Sequence, residues 1–107
     1  MRILFDQGAP SPLRRSLAEH EVSTAYEEGW SLLKNGELLE IAEEGGYDVF
    51  VTTDANLKHQ QNLSNRRLAI VVLLSTSWPR MQRVIPSIVA AIAAATAGSY
   101  TEVEIPE

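Results

Sequence analysis

Apolar runs alternate with helix-period stretches along the chain, the pattern of a parallel α/β sheet. The run RILFD ends on an acid and predicts a first strand, Arg2 to Asp6. Ser11 followed by Pro12 predicts a helix start, with the hydroxyl as N-cap and proline at the first helical position. Leu13 and Leu17 lie one turn apart on its core side, and that helix is expected to end near Glu19. Glu21 to Tyr26 (EVSTAY) is less apolar and reads as a strand at a sheet edge. Asn35 is the expected N-cap of a helix over 36–44 that turns Leu38, Ile41 and Ala42 inward. Glu37 and Glu40 suit the positive end of its dipole, and Gly45-Gly46 ends it.

The second half repeats the alternation. Asp48 to Thr53 (DVFVTT) is a strand without polar alternation, as expected when both faces are covered. Asp54 suits the cap of a short helix carrying Leu57 and Leu63, and Leu68 to Leu74 is the clearest buried strand. Pro79 predicts a single helical turn. Pro86 starts the last main helix, which runs over Ile88, Ile92 and Ala95 and stops at Gly98. Tyr100 to Ile105 alternates with period two and predicts a final edge strand. The fold class expected is α/β, a single-domain three-layer α/β/α sandwich around a mainly parallel five-stranded sheet. The natural strand order is 2-1-3-4-5, with the first and third strands flanking the switch point where open α/β sheets bind ligands.

Composition narrows this. A chain of 107 residues, 45% apolar and 21% charged, holds one core and no second domain. The absence of cysteine excludes a disulfide scaffold, thiolate zinc sites and thiol catalysis. The longest apolar stretch, Ile88 to Ala95, is too short to span a bilayer, and Asp6 interrupts any leader-like run, so no membrane partner and a cytoplasmic location are expected. The apolar last helix suits a homodimer surface and core packing equally.

The net charge of -5 conceals segregation. Residues 1–54 set Arg2, Arg14, Arg15 and Lys34 against eleven acids, a balance of -7. From 55 to 101 there is no acid, while Lys58, Arg66, Arg67, Arg80 and Arg83 give +5; Glu102, Glu104 and Glu107 close the chain at -3. Such asymmetry points to a polyanion partner unless the blocks interleave in space and cancel.

Chemistry gathers at two strand ends. Asp6 closes the first strand and Asp54 the third, and neighbouring parallel strands lie roughly 4.8 Å apart, within reach of one another's side chains. Two carboxylates so placed share a proton or bind a hard cation. Oxygen ligands without cysteine favour Mg²⁺ or Mn²⁺ over zinc. Glu37 in the first turn of its helix supplies a third carboxylate, with Asn35 as a supporting neutral oxygen donor. A metal on these acids suits phosphodiester hydrolysis, with Asp6, Glu37 and Asp54 both metal ligands and catalytic residues. Beyond Asp54, Lys58, Gln60, Gln61, Arg66 and Arg67 are donors suited to RNA phosphate and sugar. Each residue also has a structural role open to it: Asp54 as a helix cap, Asp6 in a turn, Glu37 as a dipole charge, the donors as a solvated face. Trp30 and Trp78 are expected at the margin of the core.

At these residues the chain resembles the PIN-like nuclease domains, in their short bacterial toxin-type form. The resemblance rests on ILFDQ, on HEVSTAYEEGW followed by NGELLEIA, on DVFVTTDANLKHQQNL and on LAIVVL, in order over nearly the whole chain. It implies a parallel α/β sandwich whose acids bind Mg²⁺ or Mn²⁺, ribonuclease activity, and a role as a toxin held by a partner antitoxin. By position the first acid is Asp6, the helix acid Glu37 and the strand-end acid Asp54. Relatives often carry asparagine where this chain has Gly8, and some carry aspartate where it has Asn35. A non-catalytic interaction module of the same fold is the alternative.

Overall fold

Five strands form one sheet in the order β2-β1-β3-β4-β5, in a computed structural model that describes residues 1–60, 63 and 66–107. They are β1 (Arg2–Phe5), β2 (Glu21–Thr24), β3 (Val49–Thr52), β4 (Ala69–Leu73) and β5 (Tyr100–Val103). Every neighbouring pair is parallel, so the sheet is wholly and not just mainly so. Parallel pairing obliges each connection to carry the chain back to the sheet's amino edge. The α-helices are α1 (Asn35–Glu44), α2 (Leu57–Gln60), α3 (Trp78–Met81) and α4 (Ile85–Ala93).

The continuous apolar runs are explained by burial on both faces. Along β1, Ile3 and Phe5 join one core and Leu4 the other. The first core adds Val49, Val51 and Val71 to Leu13, Leu17, Met81, Ile88 and Ile92. The second packs Phe50, Ile70 and Val72 against Leu38, Leu39, Ala42 and Leu57. Helical segments therefore cover both sides, α1 and α2 on one, α3 and α4 on the other. Burying each large aliphatic or aromatic side chain contributes about 1.5–3 kcal/mol. The apolar face of α4 packs on the chain's own sheet through Ile88 and Ile92. Among the described residues no helix is long and apolar enough to cross a membrane.

The boundaries differ from expectation where a side chain found a better partner. Residues Ser11–Leu17 form a 3-10 helix, and Pro10, not Ser11, stands at its N-cap with no side-chain cap bond. The N-cap of α1 is Lys34, and Asn35 is the first helical residue. Glu37 Oε1 accepts the Lys34 amide at the start of α1, and the Asn35 side chain donates to Asp54. Strand β2 stops at Thr24, where Thr24 and Glu27 close a turn by reciprocal backbone-to-side-chain bonds of 2.9 and 3.1 Å. Strands β3 and β4 are each trimmed by a residue at both ends, α4 ends at Ala93, and β5 ends at Val103. The turn at Pro79 forms as expected, capped by the Ser77 hydroxyl.

Asp48, at the amino end of β3, accepts from the Arg2 amide at 2.8 Å and ties two strands together. Trp30 lies partly buried against the second core, edge-on to Tyr47 at 6.0 Å, and Trp78 lies against the first.

Candidate functional site

The register of β1 on β3 places Phe5 beside Val51, so the next residues along, Asp6 and Thr52, are neighbours. Side chains alternate along a strand, and Leu4 and Phe50 both face α1, so Asp6 and Thr52 point to that side as well. Asp54 follows two residues after Thr52. The two carboxylates thus stand at the carboxyl edge of adjacent strands, at the switch point of the 2-1-3-4-5 order.

Thr52 joins them. Its hydroxyl bonds Asp6 Oδ2 and accepts the Asp54 amide at 3.1 Å. Asp6 Oδ1 accepts from the amides of Gly8 and Ala9 at 2.9 and 3.1 Å. Asp54 Oδ1 accepts the Asn56 amide at 2.9 Å, an Asx turn that starts the path into α2. Asp54 Oδ2 accepts the Asn35 Nδ2 at 3.0 Å, across from the first turn of α1. Burial pushes the Asp6 carboxyl above its ordinary 3.8; the Thr52 hydroxyl and the Gly8 and Ala9 amides oppose this, and the Asp54 charge adds to it.

Gly8 is the residue the turn requires. A Cβ at that position would collide with Thr53 Oγ1 and sit 3.4 Å from Asp6 Oδ1. The bare glycine lets its amide approach the carboxylate it holds.

Glu37 stands in the first turn of α1, and its Oε1 takes the Lys34 amide at 3.4 Å. It caps its own helix and makes no bond to either aspartate. Among the described residues no three acids, histidines or cysteines are grouped to hold a metal ion. The chain instead offers two carboxylates together with the amide of Asn35. That donor set is all oxygen, and Mg²⁺ commonly binds one or two carboxylates and keeps several waters. The two carboxylates are the residues that could hold a hydrated hard cation, with Asn35 Nδ2 bonded to Asp54 Oδ2.

Two depressions meet at Asp6. One of about 120 Å³ is lined by Asp6, Gln7, Gly8, Trp30, Asn35 and Leu38. The other, about 270 Å³, is lined by Asp6, Gln7, Ser11, Thr24 and Tyr26. Gln7 borders both and donates to the Ser31 carbonyl at 3.0 Å, tying the loop before α1 to the acidic edge. Tyr26 and Leu32 in that loop are 78% and 96% exposed.

Of the expected RNA contacts, Lys58 and Gln60 lie on α2, which leaves from Asp54 at the carboxyl edge. Lys58 is ion-paired to Glu102 at 3.0 Å and lies 5.8 Å from the centre of the Tyr100 ring. The Tyr100 hydroxyl donates to the same Glu102 oxygen at 3.0 Å. Burial first, then that bond and the charges of Glu102 and Asp54, push the Tyr100 phenol up to about 12.

Arg66 and Arg67 do not flank the acids. The chain has returned to the amino edge before β4 begins, and Arg67 lines a cavity of about 410 Å³ there with Met1, Asp48 and Thr96. Gln61 lies outside the described residues.

The structure brings the expected Asp6, Asp54 and Asn35 into one hydrogen-bonded group and adds Thr52 and the Gly8 amide, which the sequence pattern did not single out as partners. The position of Thr52 beside Asp6 comes from the β1–β3 register, in which Phe5 pairs with Val51. Comparison with protein-family models, curated proteins and solved structures finds no match to this chain.

Proposed function

We propose that this chain is a divalent-metal-dependent ribonuclease with a PIN-like three-layer α/β/α sandwich. We read it as the toxin of a toxin–antitoxin pair acting in the cytoplasm. The observation that carries the reading is the bridging of Asp6 and Asp54 by Thr52 at the switch point. The ordered match of ILFDQ, NGELLEIA and TTDANL to the PIN-like pattern supports it.

Asp6 and Asp54 would hold Mg²⁺ or Mn²⁺, with the Asn35 amide fixing Asp54 from the side. A cation held there would supply an activated water and screen charge at the scissile phosphate. Lys58 and Gln60, on the helix that leaves Asp54, supply donors for the RNA backbone. Glu37 caps α1 through the Lys34 amide at 3.4 Å and would have to leave that cap to join the pair as a third acid. Arg66 and Arg67 serve, if at all, a distant part of a long RNA.

The test is cleavage of single-stranded RNA with and without Mg²⁺ by wild type and Asp54→Asn. Mg²⁺-dependent cleavage that falls sharply in the variant supports the assignment. Cleavage undiminished in the variant removes Asp54 from the site.

One observation favours a second reading, a non-catalytic interaction module of the same fold: no third acid joins the pair among the described residues. Titration with Mn²⁺ separates the two. The module predicts no binding at millimolar metal.

A further inference from the structure

Thr52 is 1% exposed and is the buried polar residue among the described residues. Buried hydroxyls are retained where both of their hydrogen-bonding capacities are used. Here the Asp54 amide is a donor and occupies a lone pair of the hydroxyl at 3.1 Å. The Asp6 carboxylate can only accept, so the single hydroxyl proton is directed at Asp6 Oδ2. With Asp6 ionised, the relay runs from the Asp54 N–H to the Thr52 O–H to Asp6.

We infer that Thr52 is the positioning residue of the acidic pair: its hydroxyl couples the Asp54 backbone to the Asp6 carboxylate and holds both in one fixed relation. The inference rests on the proposed role of the pair and adds to it a residue that touches neither metal nor substrate. It explains three features together. Asp6 Oδ1 is already held by the Gly8 and Ala9 amides, so the Thr52 bond to Oδ2 removes the remaining rotation of the carboxylate. Asp54 is held through its amide by Thr52 and through its side chain by Asn35 and the Asn56 amide. Finally, the hydroxyl stands beside Asp6 just past the last β1–β3 pair, where a purely packing role would be met by valine, as at Val72, its partner on β4 in the second core. Valine has nearly the shape of threonine but cannot relay a hydrogen bond.

The experiment compares wild type, Thr52→Val and Thr52→Ser in the full chain, first without metal. NMR resonances of the Asp54 amide proton and the Asp6 carboxyl carbon are expected to move in Thr52→Val and to stay near wild type in Thr52→Ser. Unmoved resonances in Thr52→Val overturn the inference. If Thr52→Val does not fold, Thr52→Ala takes its place and the same resonances are read.

Mn²⁺ titration then reads the consequence. Affinity is expected to fall about 10–100-fold in the hydroxyl-free variant, as when a group orienting a ligand is removed, and to be kept by Thr52→Ser. Equal Mn²⁺ affinity in wild type and the hydroxyl-free variant overturns the positioning role. Wild type that binds no Mn²⁺ while the metal-free resonances respond overturns the metal-dependent function and leaves the coupling of the two carboxylates standing.

Discussion

The Lys58 ammonium lies 3.0 Å from Glu102 Oε2, the same oxygen that accepts the Tyr100 hydroxyl. A lysine suited to RNA phosphate is therefore engaged inside the protein. Both side chains are partly exposed, and such pairs are worth about 1 kcal/mol or less. Glu102→Gln should release Lys58 and raise affinity for single-stranded RNA about two- to fivefold at low salt, read by fluorescence anisotropy in EDTA. The gain should shrink at high salt as screening shortens the range of charge. Lys58→Ala should lose the gain when combined with Glu102→Gln.

Gly8 and Thr53 are coupled by size. Gly8→Ala drives a Cβ into Thr53 Oγ1, and overpacking of this kind costs about 1–3 kcal/mol. Thr53→Ala removes the obstructing atom. Denaturant unfolding of the two single variants and the double variant should show the double less destabilised than the sum. Strict additivity would mean that the strain is relieved elsewhere.

Asp6 and Glu27 should give opposite slopes of stability with pH. Burial raises the Asp6 carboxyl above 3.8, so the folded chain binds that proton more tightly than the unfolded chain does. Its contribution therefore falls as pH rises through the raised value, and at pH 7 the buried charge is a cost. Asp6→Asn should melt a few degrees above wild type at pH 7, with the gap closing on acidification toward 3.8. Thermal melts over a pH series decide it, and a lower melting point at pH 7 would contradict it.

Glu27 is held at about 2 by its bonds to Arg14 and then the Thr24 amide, below its ordinary 4.5. The stability it contributes is present above 4.5 and lost as pH falls through about 2. Glu27→Gln should melt slightly below wild type at neutral pH and coincide with it near pH 2. The effect is small because the pair is exposed to solvent.

The strands β1, β3 and β4 were legible because they are buried on both faces, leaving unbroken runs such as LAIVVLL between Arg67 and Ser75. Crossover handedness leaves a few strand orders open, and the natural one for five units is the order observed. Helix starts were less legible. Asn35 has the chemistry of a cap, yet its amide bonds Asp54, nineteen residues away, which no local pattern displays. Arg67 stands at the amino edge for a topological reason: residues that follow Asp54 in sequence have crossed to the other edge by the time β4 starts. For the acids, the strand-end rule found Asp6 and Asp54. It did not show that register puts Thr52, not Asp54, beside Asp6. Glu37 fits the dipole of α1 as expected, and its carboxylate is occupied by that duty.

The strand order has a consequence for how the chain acquires its site. β1 is the neighbour of β3, yet the register pairs Ile3 with Val49, so the middle of the sheet closes only after nearly half the chain has been made. Until then β1 has a single partner, the marginal strand β2, and both of its apolar faces lack their full cover. Sequence-distant parallel pairings are slow to form because loop closure precedes any stabilising contact. During synthesis Asp6 leaves the ribosome long before Asp54, and the two carboxylates meet only at that closure. A nascent or truncated chain ending before β3 therefore carries neither a folded sheet nor an assembled acidic edge.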